Sequence, residues 1–168
     1  MSMVSALSAS QWAMPTPAWA KPHRQIRNDE IVAMTESASG SCLCGTVRFE
    51  ISGGFEKFFL CHCSLCRKGS GSAHAANLVL TTARLNWLSG QDCVRTYRVP
   101  ESRHERNFCD QCGSALPGVH ANGAFVVVPA GSVDSAIGIR PDAHICLASR
   151  AEWDADLQDV PGFAGLPG

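Results

Sequence analysis

The chain has 168 residues, 45% of them hydrophobic and 17% charged, with 14 Lys+Arg against 15 Asp+Glu for a formal net charge of -1. That length supports one domain with a real core and leaves two cramped, and the near-zero charge supplies no basic footprint for nucleic acid. No apolar run approaches the roughly eighteen residues that would span a membrane as a helix.

Residues 1–39 read as a poorly ordered N-terminal extension, rich in Ala, Ser, Pro and Met and without alternation. Met14-Pro15-Thr16-Pro17 and Lys21-Pro22 break regular structure. Ala18-Trp19-Ala20 looks like a small-residue cleavage site, but no positive charge precedes it and Ser, Gln and Pro interrupt the apolar stretch, so a signal peptide is not expected. Met34, shortly before the organised sequence, is a candidate biological start.

From Gly40 onward, residues 40–168 read as a single all-β domain. Val47, Phe49 and Ile51 alternate with Thr46, Arg48 and Glu50 as a half-buried strand does, and Ser52-Gly53-Gly54 ends the run. Phe58, Phe59 and Leu60 form a strand leading into a cysteine cluster. Further strands are expected over Ala75 to Thr81, Arg84 to Leu88, Cys93 to Val99, Arg106 to Phe108, Phe125 to Pro129 and Ala143 to Ala148, with Gly, Pro, Asn and Asp between them. No long segment has a 3.6-residue apolar period.

Seven of the nine cysteines fall into three groups: Cys42 and Cys44; Cys61, Cys63 and Cys66; Cys109 and Cys112. A structural zinc takes four protein ligands, whereas a catalytic zinc keeps three and leaves a position for water or substrate. Residues i and i+2 of an extended segment point to one side, so Cys42 and Cys44 can share an ion. Cys109 and Cys112 can do so from a tight turn, and Gly45 and Gly113 follow the two pairs where such turns need a positive φ. Ligand counting therefore pairs the first and third groups as a closed site and leaves the middle group as an open one. Disulfides, or one zinc with spare buried thiols, are the alternatives; disulfides need an oxidising compartment, and cysteines this close would form strained bridges. Thiolate ligands must stay reduced, so cytoplasm is the expected location. Cys93 and Cys146 read as small buried hydrophobes.

Gly40-Ser41-Cys42-Leu43-Cys44-Gly45-Thr46-Val47, Cys61-His62-Cys63-Ser64-Leu65-Cys66-Arg67-Lys68 and Arg106-Asn107-Phe108-Cys109-Asp110-Gln111-Cys112-Gly113-Ser114 resemble the glutathione-dependent formaldehyde-activating enzyme family, which also includes centromere protein V. Trp87-Leu88-Ser89-Gly90, Pro129-Ala130-Gly131-Ser132-Val133-Asp134, His144-Ile145 and Ala151-Glu152-Trp153 extend the likeness in the same order. The resemblance implies a β-tent of stacked antiparallel sheets clipped by a zinc. It implies two zinc ions per chain, a structural one on Cys42, Cys44, Cys109 and Cys112 and a catalytic one on Cys61, Cys63 and Cys66. It further implies a carbon-sulfur lyase acting on glutathione and formaldehyde. The same fold with another thiol or electrophile, or as a non-enzymatic zinc module, is the alternative, because fold alone does not fix function.

A free thiol is only about three per cent ionised at pH 7, and coordination to zinc removes its proton. That gain is worth roughly 2 kcal/mol at most, so orientation of the aldehyde beside the sulfur must supply the rest. Arg67 and Lys68, directly after the open group, are candidates to meet a glutathione carboxylate, with a solvated face as the alternative. His62 is a candidate substrate contact, although its position between Cys61 and Cys63 points it to the opposite face. His144 reads as a hydrogen-bonded structural histidine. Trp87, Tyr97 and Trp153 are expected to fill or line the core.

Overall fold

The computed structural model describes residues 37–166. The bulk of the expected extension and the candidate start at Met34 lie outside the described residues. Within them are eleven strands and one α-helix.

Three sheets make the architecture. In the first, β1 (Ser37–Ser41) pairs with β2 (Arg48–Ser52), which pairs with β5 (Arg84–Ser89). The second and largest places β3 (Lys57–Cys61), β4 (Ala75–Leu80) and β10 (Phe125–Pro129) at its centre, flanked by β11 (Ala143–Ile145) and β9 (Gly118–His120). The third joins β6 (Val94–Arg98), β7 (Glu105–Cys109) and the short β8 (Ala115–Leu116). All pairs are antiparallel except β3 with β11, which run parallel and place Ile145 beside Cys61. The lone helix, α1 (Ser64–Ser70), follows β3 directly.

Alternation explains these strands. Val47, Phe49 and Ile51 are fully buried, and so are Leu78 and Leu80 of β4 and Val128 of β10. They form one core between the first and second sheets, with Trp87 edge-on to Phe49 at 6.1 Å between ring centroids. Residues at every second position of β10, Phe125, Val127 and Pro129, face the other way and line a cavity instead.

β1 escapes hydrophobic pattern reading because its sequence, SASGS, is small and polar. Its smallness is the point: a Cβ at Gly40 would collide with the Phe49 ring and with the Ser132 carbonyl oxygen. Only glycine lets this strand lie so close to the core ring. α1 is too short to show a period, and it is capped locally: the Cys63 sulfur accepts from the Cys66 amide at its start, and Gly71 in the left-handed region closes its end.

Two aromatic expectations are corrected. Trp153 is 65% exposed and Tyr97 57% exposed, so neither fills the core. Both lie on peripheral elements, an irregular C-terminal segment and β6, that have no facing layer to cover them. Cys146 is also exposed rather than buried, while Cys93 packs against the core as expected.

Candidate metal centres and the adjoining cavity

The closed cluster clips the first sheet to the third. Cys42 and Cys44 follow β1, Cys109 ends β7, and Cys112 stands in the turn before β8. The two turns are built alike. The Gly45 amide donates to the Cys42 carbonyl at 2.9 Å and the Gly113 amide to the Cys109 carbonyl at 2.8 Å, with φ of 75° and 74° at the two glycines. The Leu43 amide donates to Ser114 Oγ at 2.9 Å and ties one turn to the other.

Sulfur geometry fits a tetrahedral ion. Cys42 and Cys44 Sγ are 3.4 Å apart, Cys44 and Cys109 Sγ 4.0 Å, and all four lie within 4.8 Å of one another. Zinc with bonds of about 2.3 Å requires sulfur separations of about 3.8 Å. All nine cysteines are free in this structure. The thiols are unlike one another: hydrogen bonds from the Ser114 hydroxyl and amide pull Cys112 down to about 6, whereas burial pushes Cys109 up to about 11. A cation held there would supply the compensation that lets four such sulfurs ionise together.

The second cluster is more compact in sequence. Cys61 ends β3, Cys63 caps α1 and Cys66 lies in its first turn, again with the sulfurs within 4.8 Å. Burial pushes the Cys61 and Cys66 thiols up. Burial opposes ionisation of Cys63 too, but the Cys66 and Leu65 amides and neighbouring thiols donate to its sulfur and hold it below the ordinary value. Three soft donors in this arrangement can hold a metal ion and offer no fourth cysteine.

Beside this cluster opens a cavity of about 420 Å³, within the range of small-molecule sites. Cys66 is in its wall. It is lined by residues of β4 and β10, by β7 to β9, which contribute Glu105, Arg106 and His120, and by His104 just before β7. Arg106 Nε is buried without a hydrogen-bond partner. These residues come from chain segments scattered over the second half of the sequence, and no spacing signal marked them.

The expected substrate contacts are placed differently. Arg67 and Lys68 lie in the last turn of α1, and neither lines the cavity. His62 is buried at 1% exposure. Its Nε2 meets His144 Nδ1 at 2.8 Å, and its Nδ1 lies 3.1 Å from Asp154 Oδ2, off the line of a good hydrogen bond. Arg150 Nε donates to the same carboxylate oxygen at 3.0 Å, and the His74 ring sits 5.1 Å from that of His62. Burial holds His62 below its ordinary value, so its ring is neutral at pH 7. His62, His74 and Asp154 are close enough to ligate an ion, but the Arg150 guanidinium on Asp154 disfavours a cation there, and the group reads as a clamp fastening the C-terminal segment to β3 and β11. His144 is thus the structural histidine expected.

A family model described as glutathione-dependent formaldehyde-activating enzyme matches residues 37–149. A Halomonas elongata protein carrying that family's name is 32% identical over 138 residues, which are 76% of this chain and 87% of its relative. The crystal structure of a Rhodobacter sphaeroides protein is similar at 25% identity with a TM-score of 0.45, covering 58% of this chain and 89% of that one. Among the described residues, no helix is long and apolar enough to cross a membrane.

Proposed function

Because the chain belongs to the glutathione-dependent formaldehyde-activating enzyme family, we propose that it is a zinc-dependent carbon-sulfur lyase that joins the thiol of glutathione to formaldehyde. The observation that carries this reading is the three-cysteine cluster whose Cys66 stands in the wall of a cavity large enough for a small peptide thiol. In this reading Cys42, Cys44, Cys109 and Cys112 hold a structural zinc and Cys61, Cys63 and Cys66 a catalytic one, two zinc ions per chain. A zinc bound to three thiolates supplies a vacant position at which an incoming thiol loses its proton.

The chain's own residues do the rest. The apolar floor of Phe125, Val127 and Pro129 excludes water from the reacting pair, and the cavity walls hold thiol and aldehyde in contact, a larger contribution than ionisation alone. Arg106, with Nε unpaired in the wall, takes the carboxylate role first assigned to Arg67 and Lys68. Free thiolate ligands require a reducing compartment, the cytoplasm in this reading.

The cavity volume far exceeds a one-carbon aldehyde and also suits a different thiol or a bulkier carbonyl compound. Following formaldehyde consumption with glutathione, above the rate of the unaided addition, separates the two. An excess rate that disappears in Cys66→Ser supports the reading. No excess with glutathione, but one with another thiol, replaces it with the second.

A further inference from the structure

Joining a thiol to an aldehyde forms one S–C bond, turns the C=O π pair into an oxygen lone pair, and moves one proton from sulfur to oxygen. Once cysteine sulfurs hold a cation they carry no proton to give, so that transfer needs another group. Guanidinium groups are not proton carriers, so of the side chains in the cavity wall His104, Glu105 and His120 are the ones that could accept and return a proton.

We propose that His120 is a catalytic residue of this site, its Nε2 accepting the proton of the incoming thiol and returning it to the alkoxide, with Glu105 as its positioning residue. The inference rests on the function proposed above and deepens it. His120 ends β9 directly opposite Phe125 of β10, and the two rings stack at 5.5 Å with an angle of 13°. Glu105 Oε2 reaches across from β7 to 3.5 Å from His120 Nδ1. Glu105 also lies 3.4 Å from Arg98 Nη1, which fixes where its carboxyl group sits. No hydrogen bond links the two at this separation, but an acceptor oxygen beside Nδ1 favours the tautomer that carries its proton there and leaves the Nε2 lone pair free.

Gly118 keeps the approach to that nitrogen open: a Cβ there would stand 3.1 Å from His120 Nε2 and would collide with the Asn107 amide. The groups facing the ring are Glu105 and Arg106 from β7, His104 from the segment before it, and apolar Phe125 from β10. Burial holds His120 below its ordinary value, with Glu105 opposing and His104 adding to it, so the ring is neutral and able to accept a proton at pH 7. His104 lines the same cavity, but among the described residues no carboxylate pairs with it to fix its tautomer.

The test uses the full chain loaded with zinc, with glutathione and formaldehyde as probes. His120→Gln should lower kcat about 100-fold while glutathione affinity, measured by calorimetry, stays within about twofold. Glu105→Gln should lower kcat about tenfold and move the acid limb of the pH profile to lower pH, because the opposing carboxylate is gone. In the wild type, the His120 ring resonance should shift when glutathione saturates the site, a readout independent of turnover and of any variant's folding. A kcat for folded His120→Gln within about threefold of wild type, an equal loss in His104→Gln, or an unmoved His120 resonance overturns the proposal. Wild type without any rate above background sinks the underlying function, and this inference with it; an active wild type beside an unaffected His120→Gln sinks this inference alone.

Discussion

Replacing Cys42 and replacing Cys63 by serine should have different consequences, because the two clusters close loops of different length. The closed cluster joins sulfurs 65 residues apart in sequence, Cys44 to Cys109. Tying such points together removes chain entropy worth (3/2)RT ln n, about 4 kcal/mol at 25 °C. The open cluster spans only Cys61 to Cys66, where the same relation gives about 1.4 kcal/mol. Against a total stability of roughly 5–15 kcal/mol for a domain of this size, the first loss is crippling and the second tolerable. Serine leaves an acceptor where Cys42 Sγ receives the Val47 amide at 3.3 Å, so the variant reports mainly on the cross-link. Urea unfolding of zinc-loaded protein should show Cys42→Ser less stable than wild type by about 4 kcal/mol and Cys63→Ser by about 1 kcal/mol. Elemental analysis should show Cys63→Ser retaining one of two zinc ions. Metal removal by a chelator should bring wild type and Cys42→Ser to within about 1 kcal/mol of each other. If Cys63→Ser proves as unstable as Cys42→Ser, or if the gap survives chelation, the division into closing and open clusters is wrong.

Gly40→Ala forces a methyl into the Phe49 ring and the Ser132 carbonyl, and overpacking of this kind costs about 1–3 kcal/mol, readable as a lower urea midpoint. Glu56 accepts hydrogen bonds from the Thr81 hydroxyl and amide and from Thr82, which hold its carboxyl down at about 2. A depressed folded value means stability present above the unfolded carboxyl range and lost as pH falls from about 4.5 towards 2. Glu56→Gln should flatten the unfolding curve across that acid window, and an unchanged slope would count against the hydrogen-bonded turn. Asp154→Ala leaves His62 buried beside Arg150 without its carboxylate, so the melting temperature should drop while the zinc content of both cysteine clusters stays the same. A fall in zinc content would mean that this clamp also supports the metal sites.

Much of the fold was legible because burial on one face imposes a period of two. β2, β5 and β10 carry that signature along their length and β4 at its end, and the expected Phe125 to Pro129 coincides with β10. β1, β8 and β9 were not, for two reasons: a strand of two or three residues is too short to alternate, and β1 contributes smallness rather than apolar area. The seven-residue length of α1 hid it in the same way, and its cap is a cysteine already read as a metal ligand.

The cysteine partition was written in the sequence because metal ligation is a local demand: few ligand types, fixed numbers, and turns with glycine at a required φ. Four sulfurs in one place and three in another follow from that demand once the chain closes. The cavity wall obeys no such rule. His104, Glu105 and Arg106 share a cavity wall with His120 and Cys66 although β7 and β9 belong to different sheets. Arg67 and Lys68 are next to the cluster in sequence, and although Cys66, Gly69 and Ser70 of the same helix line the cavity, these two do not. Adjacency along the chain sets which cysteines can present sulfur from one turn; which turns come together, and which side chains surround a substrate, depend on sheet packing that joins segments far apart in sequence.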